Sequence, residues 1–146
     1  MKELCKRGIE VITIKSTQED ARPTEGTDTS KHLEAGAKIS VLLGPSSTMT
    51  AFDRRLDLSE ISSHFEADFI LIEGLKSSQI PKVWVDNNEP VNLKEIAPGT
   101  VAIVSRNPDS IESGLMNGIE IVHSSNINRM IEIIEEFAID IDSLKL

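Results

Sequence analysis

Apolar positions along the chain fall into alternating runs, unbroken runs and one long helical stripe. Ile9-Glu10-Val11-Ile12-Thr13-Ile14-Lys15 alternates and is rich in β-branched side chains, which predicts a strand. Phe69-Ile70-Leu71-Ile72 is an unbroken apolar run that ends in Glu73, Gly74, Leu75 and Lys76. A run this short predicts a strand buried on both faces, as in the middle of a parallel sheet. Thr100 to Val104 has the same buried character and ends at Ser105-Arg106-Asn107-Pro108. Ala37–Leu43, Lys82–Val85 and Ile119–Val122 complete the main strands, and Thr48–Phe52 is a short edge strand beyond the Gly44-Pro45-Ser46-Ser47 turn.

Helical signals fall between these strands. Met1 to Arg7 reads as the last turns of a helix ended by Gly8. Ser30 to Ala35 is a short helix ended by Gly36, after a polar loop from Ser16 to Thr29. Asp57-Leu58-Ser59-Glu60 is a capping box opening a helix whose Leu58, Ile61 and Phe65 share a face. A further short helix spans Ile111 to Met116. Ile127, Met130, Ile131, Ile134, Phe137, Ala138 and Ile141 mark a long apolar stripe read as core packing. The join from Gly74 to Pro81 is too short for an ordinary parallel crossover, so Lys82–Val85 is expected to run antiparallel to its predecessor or to follow a tight connection. The rhythm predicts a three-layer α/β domain with a mostly parallel sheet, spanning residues 1–146 as one unit.

Composition narrows the functional classes. A net charge of -9 argues against a nucleic-acid partner, which would require a basic face. The single cysteine, Cys5, makes no internal disulfide and fits a reducing, cytoplasmic setting. One cysteine with scattered His32, His64 and His123 lacks zinc-ligand spacing. No stretch reaches the length of a membrane span. Aromatic content of 3% leaves Ile, Val, Leu and Ala to build the core.

Three segments carry a family resemblance. Gly26-Thr27-Asp28-Thr29-Ser30-Lys31-His32-Leu33-Glu34-Ala35-Gly36-Ala37 matches a G-K-D-[ST] loop followed by a helix ending in E-A-G-A. Asp68-Phe69-Ile70-Leu71-Ile72-Glu73-Gly74-Leu75-Lys76 matches a D-L-[IV]-L-V-E-G-[FL]-K strand, and Ile80-Pro81-Lys82-Val83 matches the P-K-[IV] entry to the next one. In these segments the chain resembles the molybdopterin-guanine dinucleotide biosynthesis protein B family, MobB. The resemblance implies a P-loop-NTPase-like fold, often dimeric, that binds GTP and Mg²⁺ and assists the enzyme attaching GMP to molybdopterin. It also makes Glu73 a Walker-B-like metal or water-orienting acid and places Asp28, Thr29, Gly74 and Lys76 beside the nucleotide.

Departures from the family pattern shift these expectations. No G-x-x-x-x-G-K-[ST] sequence, whose backbone N–H groups would wrap the phosphates, occurs in the chain. The expectation is therefore that the first strand and P-loop are absent, with the opening residues lying inside the helix that follows them. Thr27 stands where the family has lysine, and Arg106 where it has the Asp of A-S-D. An independent GTPase is not expected.

Each candidate also has a plain structural reading. Glu73 can serve the neighbouring loop, Asp28 can cap its helix, Lys76 and Lys82 can be solvated, Arg106 can pair with a nearby acid, and Trp84 can cap a core or an oligomer face. Two functions follow. The first is a MobB-like accessory protein of molybdenum cofactor biosynthesis with weak or decayed GTP binding. The second is a non-enzymatic interaction or dimerisation module, a homodimer or the companion of a maturation enzyme, in which loss of the first strand uncovers a sheet edge. A third reading places a P-loop upstream of Met1.

Overall fold

The computed structural model describes residues 1–86, 96–108 and 118–143. The helix expected at Ile111 to Met116 lies outside these residues. The strands are β1 (Val11–Lys15), β2 (Ile39–Leu43), β3 (Thr48–Phe52), β4 (Phe69–Glu73), β5 (Lys82–Val85), β6 (Thr100–Ser105) and β7 (Glu120–His123). The helices are α1 (Lys2–Lys6), α2 (Asp28–Glu34), α3 (Leu58–His64) and α4 (Ile127–Phe137), followed by a single 3₁₀ turn at Ile141–Ser143. Strand pairing is mostly parallel: β1 with β4, and β5-β6-β7 in that order, while β2 and β3 form an antiparallel hairpin.

The structural centre is β6. Ala102 and Ile103 are fully buried, and Val104 and Ser105 nearly so. Ala102 and Val104 pack with Val122 of β7 and Ile133 of α4, while Ile103 meets Trp84, Ile96, Ile119 and Ile121. Successive β6 side chains thus enter two separate apolar clusters, as strand alternation requires. The strand expected to be buried on both faces, β4, is only half-buried from Phe69 to Ile72. Among the described residues it pairs with β1 alone. An unbroken apolar run reports suitability for a central position, but the number of neighbours decides burial.

Lys82–Val85 resolves the question of the short join. β5 is parallel to β6 and lies in a different sheet from β4, so residues 74–81 link two sheets rather than two paired strands.

The helices also refine the pattern. Asp57 and Glu60 form the expected reciprocal capping box on α3. Phe65, expected on the apolar face of α3, is instead the extended residue after its last turn and is exposed. On α4 the most deeply buried side chains are Ile133, which the predicted stripe omits, and Ile131, which it includes. Ile127 and Phe137 at the two ends are partly exposed, and Ala138 lies beyond the helix. The buried face of α4 therefore runs through Met130, Ile131, Ile133 and Ile134, with Ile131 and Ile133 deepest. Arg7, which caps the end of α1, links it to α4: its guanidinium donates to Asn128 Oδ1 at 2.7 Å.

Candidate functional site

The parallel register of β1 and β4 sets Lys15 opposite Glu73 at the carboxyl ends of both strands. This is the edge at which open α/β sheets bind ligands. Lys15 Nζ lies 3.6 Å from Glu73 Oε1, and both side chains are about three-quarters exposed. Glu73 therefore carries no burial cost that a ligand must relieve, and its lysine partner supplies a modest, solvent-screened attraction.

The backbone after Glu73 is tightly constrained. Ser16 N–H donates to Glu73 O at 2.8 Å, which seals the β1 and β4 tips together. Gly74 follows at φ +106, and a Cβ there would sit 2.6 Å from Ser16 O. Glycine is required at this position for both reasons. Leu75 continues the turn at φ 49, an uncommon conformation for an apolar side chain. Its carbonyl accepts from both Ser78 N and Ser78 Oγ.

Lys76 and Lys82 separate in role. The Lys76 ammonium stands 6.0 Å from the centre of the Trp84 ring, at the outer range of a cation–π contact. Lys82 Nζ donates to the carbonyls of Ser78 and Pro98, clamping the 74–81 connection to the turn before β6. Burial lowers the Lys82 pKa. Lys82 is thus a structural clamp.

The start of α2 forms a second group. Thr27, not Asp28, is the N-cap: its Oγ1 accepts from Ser30 N–H at 3.4 Å and donates to Thr24 O at 2.7 Å. Thr27 does so because its extended backbone directs the hydroxyl at the open helix end, whereas Asp28 is already helical. The Asp28 side chain is 90% exposed and lies 3.7 Å from Lys31. Thr29 is buried. Among the described residues, no hydrogen bond or ion pair joins Asp28 or Thr29 to Glu73, Gly74 or Lys76, and no three His, Cys, Asp or Glu side chains converge as metal ligands. A Mg²⁺ ion held mainly by protein oxygens does not fit this donor set, although one carboxylate suffices when phosphate oxygens and water complete the octahedron.

A third cluster was only partly legible. At the carboxyl ends of β5 and β6, buried Ser105 donates through Oγ to Asp86 Oδ2 at 2.6 Å and accepts from Asn107 N–H at 3.0 Å. The family pattern looks for an acid immediately after Ser105. Here Arg106 is exposed, and the carboxylate beside Ser105 arrives from the neighbouring strand. Only the pairing of Val85 with Val104 reveals this, because Asp86 and Ser105 are 19 positions apart.

Parallel strand pairs with a carboxylate–glycine turn at their carboxyl ends, and a second polar tip on β5 and β6, make this an α/β protein, and its likeness to solved MobB structures gives it their P-loop-NTPase-like fold. The chain belongs to the MobB family, described as molybdopterin guanine dinucleotide synthesis protein B, whose model matches residues 1–106. The crystal structure of Bacillus subtilis MobB superposes with a TM-score of 0.70 at 22% identity, covering 95% of this chain and 86% of that one. A molybdopterin-guanine biosynthesis protein B structure gives 0.62 at 21% identity, with 93% and 84% covered. An adapter protein of molybdopterin-guanine dinucleotide biosynthesis from Methanocaldococcus jannaschii is 41% identical over 81 residues, half of this chain and 34% of its own length. The corresponding adapter protein of Bacillus subtilis is 26% identical over 86% of this chain and 75% of its own. The chain thus spans about a third of the first of these relatives and three-quarters of the second.

Proposed function

We propose that this chain is an accessory protein of molybdenum cofactor biosynthesis that works by assembly, with a second copy or with the enzyme attaching GMP to molybdopterin, in the cytoplasm. What supports this reading is the family match over residues 1–106, together with relatives described as adapter proteins. GTP with Mg²⁺ is retained weakly, with Glu73 as the acid nearest the phosphates and Gly74, Lys76, Asp28 and Thr29 around it. Any ligand that binds only the native state stabilises it. GTP with Mg²⁺ therefore raises the melting temperature of the chain, and Glu73→Ala abolishes the rise. No shift at saturating nucleotide would remove GTP from the proposal.

The second reading, an interaction module without nucleotide, is favoured by one observation: Asp28 and Glu73 are exposed, and each is already paired with a lysine. Co-purification with the GMP-attaching enzyme separates the two. Capture that is insensitive to nucleotide supports the module. Failure of capture in both conditions sinks the accessory role altogether.

A further inference from the structure

Two contacts show how the segment between β4 and β5 runs. Lys82 Nζ donates to Ser78 O at 2.5 Å, and Lys76 Nζ stands 6.0 Å from the centre of the Trp84 ring. Ser78 is thus held beside Lys82 and Lys76 beside Trp84, so the segment leaving Glu73 retraces β5 from its carboxyl end towards its start. At the start, a Cβ on Gly99, just before β6, would stand 2.7 Å from both Gln79 O and Ile80 O, in agreement with that direction. The same spacing carried on brings Gly74 and Glu73 towards the end of β5, where Asp86 follows Val85. The β1–β4 tip and the β5–β6 tip therefore face one edge, the edge at which α/β sheets bind ligands.

At this edge Asp86 is fixed twice. Its N–H donates to Val104 O at 2.9 Å, and its Oδ2 accepts from Ser105 Oγ at 2.6 Å. Ser105 is buried and accepts from Asn107 N–H at 3.0 Å, which leaves its hydroxyl proton directed at the carboxylate. A carboxylate has about four acceptor sites, and one hydroxyl orients it without exhausting it. An oriented carboxylate matches a ligand with two adjacent N–H donors in one plane, the geometry of a bidentate pair. Among the nucleobases guanine offers this, through its ring N–H and its 2-amino group. Adenine and cytosine set an acceptor beside the amino group, and uracil flanks its one N–H with two carbonyls. Pterin rings carry the same 2-amino-4-oxopyrimidine edge as guanine. The cofactor in the family's description, molybdopterin guanine dinucleotide, thus bears that edge at both ends.

We infer that Asp86, oriented by Ser105, recognises the 2-amino-4-oxopyrimidine edge shared by guanine and pterins. This rests on the cofactor-biosynthesis reading of the proposed function and names the ligand class that the β5–β6 tip selects.

NMR titration of the full chain with phosphate-free ligands tests it: guanosine, inosine, adenosine and neopterin. Guanosine is expected to bind at least about tenfold more tightly than inosine, which lacks the 2-amino group. It is also expected to shift the amide resonances of Asp86 and Asn107. Competition between neopterin and guanosine supports the shared edge; binding of one alone supports it and identifies that ring as the source. Asp86→Asn replaces an acceptor with a donor and should move the preference to xanthosine, whose 2-oxo group accepts. Failure of guanosine and neopterin to bind, equal affinity for guanosine and inosine, or resonance shifts that spare Asp86 and Asn107 overturns the assignment, and these wild-type results decide it even where Asp86→Asn does not fold. A folded Asp86→Asn chain that keeps its preference for guanosine overturns it as well. Guanosine has no phosphate, so the result is separable from the GTP test at Glu73: a GTP response without guanosine binding sinks this assignment alone, and guanosine binding without a GTP response supports it while removing GTP.

Discussion

Gly74 offers the sharpest test of how the β1–β4 tip is built, because Gly36 provides a control with nearly the same φ. Their φ angles are +106 and +100, so an alanine at either one meets a similar conformational penalty. Nothing lies within 4 Å of a Cβ at Gly36, whereas at Gly74 it would stand 2.6 Å from Ser16 O and 3.1 Å from Ser16 Cβ. Gly36→Ala therefore reports the backbone cost alone, about 1–3 kcal/mol. Gly74→Ala adds the forced separation of β1 from β4, roughly 1–3 kcal/mol more on the scale of overpacked sites. It also strains the Ser16 N–H to Glu73 O bond.

Urea denaturation reads the difference. With a slope of about 1–3 kcal/mol per molar urea, an extra 2 kcal/mol lowers the midpoint by roughly 1 M at the middle of that range. Amide exchange at Ser16 should accelerate in Gly74→Ala and stay unchanged in Gly36→Ala. Equal midpoints for the two variants, with Ser16 exchange unaltered, would refute the close approach as the reason for glycine at position 74.

Three further outcomes follow from the packing and the charges. Ile133→Ala, at a fully buried contact with Ala102, Val104 and Val122, should cost about 2–5 kcal/mol, while Ile127→Ala at the exposed start of the same helix should cost well under 1 kcal/mol by chemical denaturation. The hydrogen bond from Arg54, then the Asp57 backbone, lowers the Glu60 pKa from 4.5 to about 2. A depressed carboxylate contributes stability above its unfolded value that is lost as pH falls through its folded one. The gap in melting temperature between wild type and Glu60→Gln should therefore be widest above pH 4.5 and close towards pH 2; a constant gap would contradict this. Arg129 donates to both Glu120 and Glu132 and lies 3.6 Å from Glu136. Arg129→Ala should lower the melting temperature by an amount that shrinks at high salt, because screening weakens the acidic repulsion left behind.

The sequence by itself determined what depends on near neighbours in the chain. The Asp57–Glu60 capping box, the β-branched strands, the glycine after Glu73 and the family segments around Asp28 and Glu73 are all local patterns, and the structure bears out the elements they mark. Tertiary structure decided what depends on who sits beside whom. Of the two strands read as buried, it buried β6 and left β4 half-buried, because burial follows the number of flanking strands rather than the apolarity of the run. The centre of the α4 stripe shifted to Ile133, since helix rotation is set by the sheet face it covers. Thr27 took over the cap from Asp28 through backbone geometry that residue identity does not encode. The Asp86 carboxylate reached Ser105 across a parallel pair, a contact between positions too far apart in sequence for any motif to join.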